Sequence, residues 1–318
     1  MHETIGRCIG TFIVATAVLG VCIGAHARDQ IAFVRDGNVW LMTADGNSQT
    51  KLTSSGECSG PSWSPDGKFL LFISGDNVWK MQMSDSRLRR LTNSGDCTAA
   101  AWRPGTDEVW YCRSPQLGKT FQGDAPQDGF IARIGAAGEG YKRCFPIGAS
   151  FASSLSWHPK GGLLSVSWRD GYDAGGVRVY DRQGRKQSTP GAVANERWEG
   201  GLIELDNPAW SPVRPELIAM TKLYSVTPER YFGNERGECL VVVDTGARRQ
   251  RVLHEELGTT TDEPCLQFVF SVTWSPDGQA VAYSIYGSSG KSAWLVGIED
   301  CKPRKIAADA DQLAWRPR

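Results

Sequence analysis

The sequence predicts an all-β protein, a six-bladed β-propeller whose C-terminal strand joins three N-terminal strands to complete one blade, a 1+3 closure. Three observations predict it. The tripeptide Trp-x-Pro occurs six times, at Trp63, Trp102, Trp157, Trp210, Trp274 and Trp315, with spacings of 39, 55, 53, 64 and 41 residues. These fit four-stranded blades of about 40 to 45 residues with insertions, and even the longest gap is too short to hide another blade. Between the copies lie short runs of strand formers such as 69–73 and 280–284, bounded by Pro65-Asp66-Gly67 and Pro276-Asp277-Gly278 turn chemistry.

Residues 8–25 are almost wholly apolar behind Arg7, and Ala25-His26-Ala27 has the small-x-small pattern that a signal peptidase cuts after. Residues 1–27 therefore read as a signal peptide and 28–318 as the propeller, with an uncleaved anchor as the alternative because about 18 apolar residues just span a bilayer. Segments 30–35, 38–44 and 48–53 read as the second to fourth strands of a blade. The next repeat is complete, with strands expected at 60–64, 68–74, 77–84 and 87–92. A lone first strand at 313–317 ends the chain and supplies what the opening three lack, which removes the open sheet edges of a linear array. Loss of the last eight residues is therefore expected to be costly. The six repeat tryptophans are assigned to packing between blades.

The turn Trp63-Ser64-Pro65-Asp66-Gly67, its copy Trp274-Ser275-Pro276-Asp277-Gly278, the strands that follow, and the pair Asn38-Val39-Trp40 and Asn77-Val78-Trp79 resemble the TolB-like β-propeller repeat family. The resemblance covers most of 31–318, most strongly in the first two repeats and the sixth. It implies a six-bladed ring, a periplasmic location and use as a protein-binding platform. TolB itself has an α/β domain before its propeller, whereas few residues lie here between Ala27 and Ile31, so only the propeller part of the likeness carries over.

With 35 Lys+Arg against 35 Asp+Glu the net charge is zero, which argues against nucleic acid or anionic membrane as a partner. Hydrophobic residues at 41% and charged residues at 22% describe a chain that can bury a large core. Of nine cysteines, Cys8 and Cys22 fall in the leader. An exported chain with the other seven is expected to form disulfides. Cys58 and Cys97, each five residues before its Trp in adjacent blades, are the first candidate pair; Cys239 and Cys265 are the second. Cys112 and Cys144 are weaker candidates, and Cys301 is left over. No C-x-x-C is present and the mature chain has only His158 and His254, so no metal or other cofactor is expected.

In antiparallel blades the turns joining strands one to two and three to four share one face of the disc. These are tight, as at Pro159-Lys160-Gly161 and Asp181-Arg182-Gln183-Gly184. The long insertions, 114–128, 191–206, 224–237 and 255–267, all fall on the other face, in blades three to five. They carry Phe121, Arg197, Trp198, Tyr224, Arg230, Tyr231, Phe232 and Arg236, an aromatic and Arg mixture typical of interface anchors, with carboxylates interleaved. Four positions before each repeat Trp, on that same face, stand Ser59, Thr98, Ser153, Asp206, Phe270 and Asp311, which are expected to ring the channel mouth. The two carboxylates there suit a cation, a basic side chain or water.

No Gly-x-Ser-x-Gly elbow exists, and the two histidines lie on opposite faces, so no triad or histidine metal site is expected. The sequence is read as a periplasmic or secreted, monomeric, non-enzymatic scaffold for an envelope or extracellular protein or peptide, with no membrane span after leader cleavage. The alternative is a carbohydrate-active enzyme or glycan-binding propeller using Asp206 and Asp311.

Overall fold

The computed structural model describes residues 29–115, 128–170, 174–189, 202–225, 236–257, 268–287 and 290–318. They form six four-stranded antiparallel sheets arranged in a ring, a six-bladed β-propeller. Blade one holds β1 (Gln30–Arg35), β2 (Asn38–Thr43) and β3 (Thr50–Lys51). Blade two is β4 (Cys58–Trp63), β5 (Phe69–Ser74), β6 (Asn77–Gln82) and β7 (Leu88–Arg90); blade three is β8 (Cys97–Trp102), β9 (Glu108–Arg113), β10 (Phe130–Gly135) and β11 (Lys142–Pro146). Blade four is β12 (Phe151–Trp157), β13 (Leu163–Asp170), β14 (Ala174–Asp181) and β15 (Lys186–Gln187); blade five is β16 (Leu202–Trp210), β17 (Leu217–Ser225), β18 (Arg236–Asp244) and β19 (Arg249–Leu257). Blade six is β20 (Phe268–Trp274), β21 (Ala280–Gly287), β22 (Gly290–Gly297) and β23 (Arg304–Ala308). The last strand, β24 (Asp311–Trp315), pairs antiparallel with β1, Ile31 opposite Trp315 and Ala32 opposite Ala314.

The innermost strands β4, β8, β12, β16, β20 and β24 touch in succession, and β24 returns to β4. The core is divided the same way. Six buried apolar clusters each lie between two neighbouring blades, and each contains one Trp-x-Pro tryptophan. All six indoles are at most 9% exposed, which makes them the wedges that hold blade to blade.

The middle residue of each Trp-x-Pro takes one of two tasks. Where it is Ser it closes its own turn: Ser64 Oγ donates to Asp66 and accepts from the Phe69 amide, and Ser275 repeats both bonds with Asp277 and Ala280. Where it is Arg or His it lies against the tryptophan of the next blade. Arg103 sits over Trp157 at 5.7 Å, Arg316 over Trp63 at 5.1 Å, and His158 meets Trp210 edge-on at 4.9 Å.

A second module occurs twice. Asn38 Oδ1 accepts from the Gly56 amide, Thr53 Oγ1 accepts from the Val39 amide, and the Cys58 thiol contacts the hydroxyls of Thr53 and Ser55 at 3.3 and 3.1 Å. Asn77, Gly95, Thr92, Val78, Cys97 and Ser94 reproduce it one blade later. Each module pins the Gly37 or Asp76 turn to the next blade, whose first amide donates to that turn's carbonyl at 2.7 and 2.9 Å.

This module corrects the expected pairing of Cys58 with Cys97, because both are buried free thiols. Equivalent positions in adjacent blades belong to different interfaces: Cys58 packs in the cluster between blades one and two, Cys97 in that between two and three. Cys112 and Cys144 are also free, since β10 lies between their strands and two strand spacings, about 9–10 Å, exceed the reach of a disulfide. Cys239 is buried in β18, and its expected partner Cys265 lies outside the described residues.

Candidate functional site

The two ends of the ring differ. At the end holding the Trp-x-Pro turns, connections run four to six residues, from 182–185 between β14 and β15 to 211–216 between β16 and β17. At the other end four connections are much longer: 114–129, 188–201, 226–235 and 258–267. All four belong to blades three to five. Blade five also reaches further toward that end, with four strands of nine residues against the six of β4, β5 and β6.

Of the residues expected to anchor a partner, Phe121, Arg197, Trp198, Arg230, Tyr231 and Phe232 lie outside the described residues. Tyr224 and Arg236 do not belong to a loop. Tyr224 pairs with Gly237 and Ser225 with Arg236 at the ends of β17 and β18, so the sheet extends further than turn chemistry implied. Likewise Leu202 to Asp206, expected within an insertion, form the start of β16.

A central cavity of about 460 Å³ is lined by all six inner strands, from Gly60, Asn207 and Gln312 down to the six prolines of the Trp-x-Pro turns. Its wall combines Ala, Ser and proline with the six repeat tryptophans and the larger Leu155, Val272 and Leu313. Of the residues four before each tryptophan, expected to ring the channel mouth, Ser153 lines this cavity, whereas the residues three before each tryptophan line it in all six blades. Ser59 pairs with Ile73 in β4, Thr98 lies in the bulge of β8, and Ser153 Oγ donates to the Ser167 carbonyl at 3.4 Å. Phe270 lies in β20.

The two carboxylates among these six positions, Asp206 and Asp311, are committed to neighbouring blades. Asp311 accepts from Ser284 Oγ at 2.9 Å, from Lys291 Nζ at 2.9 Å and from the Gln312 amide at 2.7 Å. Asp206 accepts in the same pattern from Ser167 Oγ, from Arg169 and, at 2.8 Å, from the Asn207 amide. In both, the hydroxyl and the cation come from the preceding blade, and the residue after the Asp has a left-handed backbone, φ 51° at Asn207 and 49° at Gln312. Of the tasks open to these carboxylates, they perform that of holding a basic side chain, as staples between blades.

Arg169 also bridges Glu204, so one guanidinium faces two carboxylates. Burial pushes the Asp206 carboxyl up, against the pull of Arg169. Beside them Glu238 Oε2 accepts the Val269 amide at 2.8 Å, joining blade five to blade six. Burial pushes Glu238 up to about 8, with Asp206 adding to the rise while the Val269 amide, Thr221 and Arg169 oppose it. Lys222, 1% exposed, donates to Gln250, and burial lowers its ammonium. None of Arg169, Glu204, Lys222 and Glu238 was singled out from sequence, because a strand residue one position off the repeat carries no motif.

His158 and His254 are far apart in the fold, in the β12–β13 turn and in β19. The His254 Nδ1 lies 2.6 Å from the Tyr283 hydroxyl of blade six, and burial lowers its imidazole. Among the described residues no group of three His, Cys, Asp or Glu is placed to hold a metal, and no helix is long and apolar enough to cross a membrane.

No family model and no curated protein matches the sequence. Solved structures do. TolB from Acinetobacter baumannii is similar with a TM-score of 0.67 and 16% identity, over 92% of this chain and 68% of that one. A putative TolB from Agrobacterium tumefaciens gives 0.58 and 14% identity, over 88% of each chain. A nidogen/laminin complex gives 0.51 and 10% identity, over 76% of this chain and 78% of that one. The fold is that of TolB propeller domains.

Proposed function

We propose that this chain is an exported, monomeric and non-enzymatic scaffold that binds a protein or peptide of the cell envelope or exterior through the face carrying its long connections. The observation that carries the reading is the inequality of the ring's two ends. One end has turns of four to six residues, while 114–129, 188–201, 226–235 and 258–267 gather at the other within three consecutive blades. The likeness to TolB propellers supports a protein partner. The apolar segment 8–25 ahead of Ala25-His26-Ala27 supports export to the periplasm or beyond. Asp206 and Asp311, the acids on which a glycan-cleaving alternative would rest, are engaged by Arg169 and Lys291.

The test is capture of cell-envelope proteins by the purified chain and by a Trp198→Ala/Arg230→Ala/Tyr231→Ala variant of unchanged thermal stability. Loss of aromatic and Arg anchors is expected to weaken capture at least tenfold. Equal capture by both chains overturns the assignment of this face.

A further inference from the structure

The end of the ring with the short turns carries a different feature. Between blades three and four lies a cavity of about 470 Å³ whose charged lining is Arg103, Arg133, Lys142 and Arg182 against a single acid, Glu108. Glu108 is saturated: Oε2 accepts from Arg103 Nη1 at 2.9 Å and from Trp110 Nε1 at 3.0 Å, and Oε1 accepts from Arg133. It neutralises one guanidinium of the two it touches. Lys142 and Arg182 are exposed and have no ion-pair partner among the described residues.

Packing accounts for Arg103, which lies over Trp157 and donates to the Gly161 carbonyl, and Glu108 holds Arg103 and Arg133, but neither accounts for Lys142 and Arg182. Arg133 and Lys142 stand directly opposite each other on β10 and β11, a placement in which like charges repel and cost stability. Arg182 is brought to them from another blade, at the tip of the β14–β15 turn. Four cations thus converge from two blades on a concave space with one carboxylate, leaving three positive charges and a surplus of N–H donors without an acceptor.

We propose that this seam is a binding pocket for an oxyanion of two or more negative charges, a phosphate group or a polycarboxylate. Forked guanidinium donors of Arg133 and Arg182 and the ammonium of Lys142 supply charge-assisted hydrogen bonds to several oxygens at once, which a single carboxylate or chloride does not use. The site is separate from the face assigned to a protein partner.

The experiment is titration calorimetry of the full mature chain with inorganic phosphate and with citrate, at matched ionic strength, with acetate and chloride as references. Phosphate or citrate is expected to bind and the references not. Lys142→Ala/Arg182→Ala, which removes two exposed side chains, is expected to weaken binding about tenfold or more, near 1.4 kcal/mol for each factor of ten. Lys302→Ala/Arg304→Ala makes the same charge change on blade six and is expected to leave binding intact. Cys144, a half-buried thiol lining the cavity, gives a second readout, its alkylation slowing when the ligand is present. Binding of phosphate without citrate identifies a phosphorylated ligand, and the reverse a polycarboxylate. Failure of both anions to bind, or equal weakening by the blade-six variant, overturns the proposal.

Discussion

At the residue scale the ring is held by a few polar groups that reach from one blade to the next. Asp311 is 4% exposed and collects three donors, two of them from blade six. Asp311→Ala removes the carboxylate that the Ser284 hydroxyl donates to, leaving that hydroxyl its contact with Ser271, and leaves Lys291, itself half exposed, without its carboxylate. A loss of about 1–3 kcal/mol is expected in urea unfolding, and an unchanged midpoint counts against the staple. Glu238 behaves otherwise. Its folded pKa, near 8, lies above that of an unfolded glutamate, so the folded state binds more protons between about 4.3 and 8. The associated stability is whole below that window and is lost as pH rises through it. Glu238→Gln is therefore expected to gain in melting temperature relative to the parent from pH 5 to pH 8, with the difference level above; a difference independent of pH contradicts it.

At the scale of elements, the hairpin turns are docking devices as well as reversals. Gly37 has φ of 65°, and a Cβ there would collide with the Gly56 carbonyl oxygen, while its own carbonyl accepts the Cys58 amide at 2.7 Å. Gly95 has nearly the same φ, 64°, and open space around it. Gly95→Ala is expected to cost about 1 kcal/mol for the left-handed backbone alone, and Gly37→Ala about 2–3 kcal/mol because the turn must also leave its neighbour. Equal costs in thermal or urea unfolding would show that the contact with Gly56 is unimportant. The parts of each module are visible in the sequence as Asn38-Val39-Trp40 with Leu52-Thr53-Ser54-Ser55-Gly56 and Cys58, and as Asn77-Val78-Trp79 with Leu91-Thr92-Asn93-Ser94-Gly95 and Cys97, but no local pattern shows that these parts bond to one another. The cysteines alone suggested a bridge. Spacing from a repeat places two residues at equivalent sites, but whether equivalent sites touch depends on the angle between blades.

At the scale of the molecule, β24 supplies Leu313 and Trp315 to the cluster between blades six and one and Ala314 to that between one and two. Its backbone covers the inner edge of β1. Removal of 311–318 is expected to abolish a single cooperative unfolding transition and to yield aggregates by size-exclusion chromatography, since it opens two interfaces and an edge at once. A soluble monomer that melts like the parent contradicts this.

Blade number, the identity of each inner strand and the wedge role of six tryptophans follow from the sequence by itself, because a repeat must place equal residues at equal stations around a ring. The inequality of the two ends is equally legible, as it depends only on connection lengths and the alternation of antiparallel strands. Tertiary structure alone decided what happens across each seam. Arg169 meets Asp206, Lys291 meets Asp311, and Arg182 lines one cavity with Arg133 and Lys142, each across two blades whose relative rotation and offset set the partners. No local pattern encodes that rotation, which results from packing the six tryptophans and their neighbours at once.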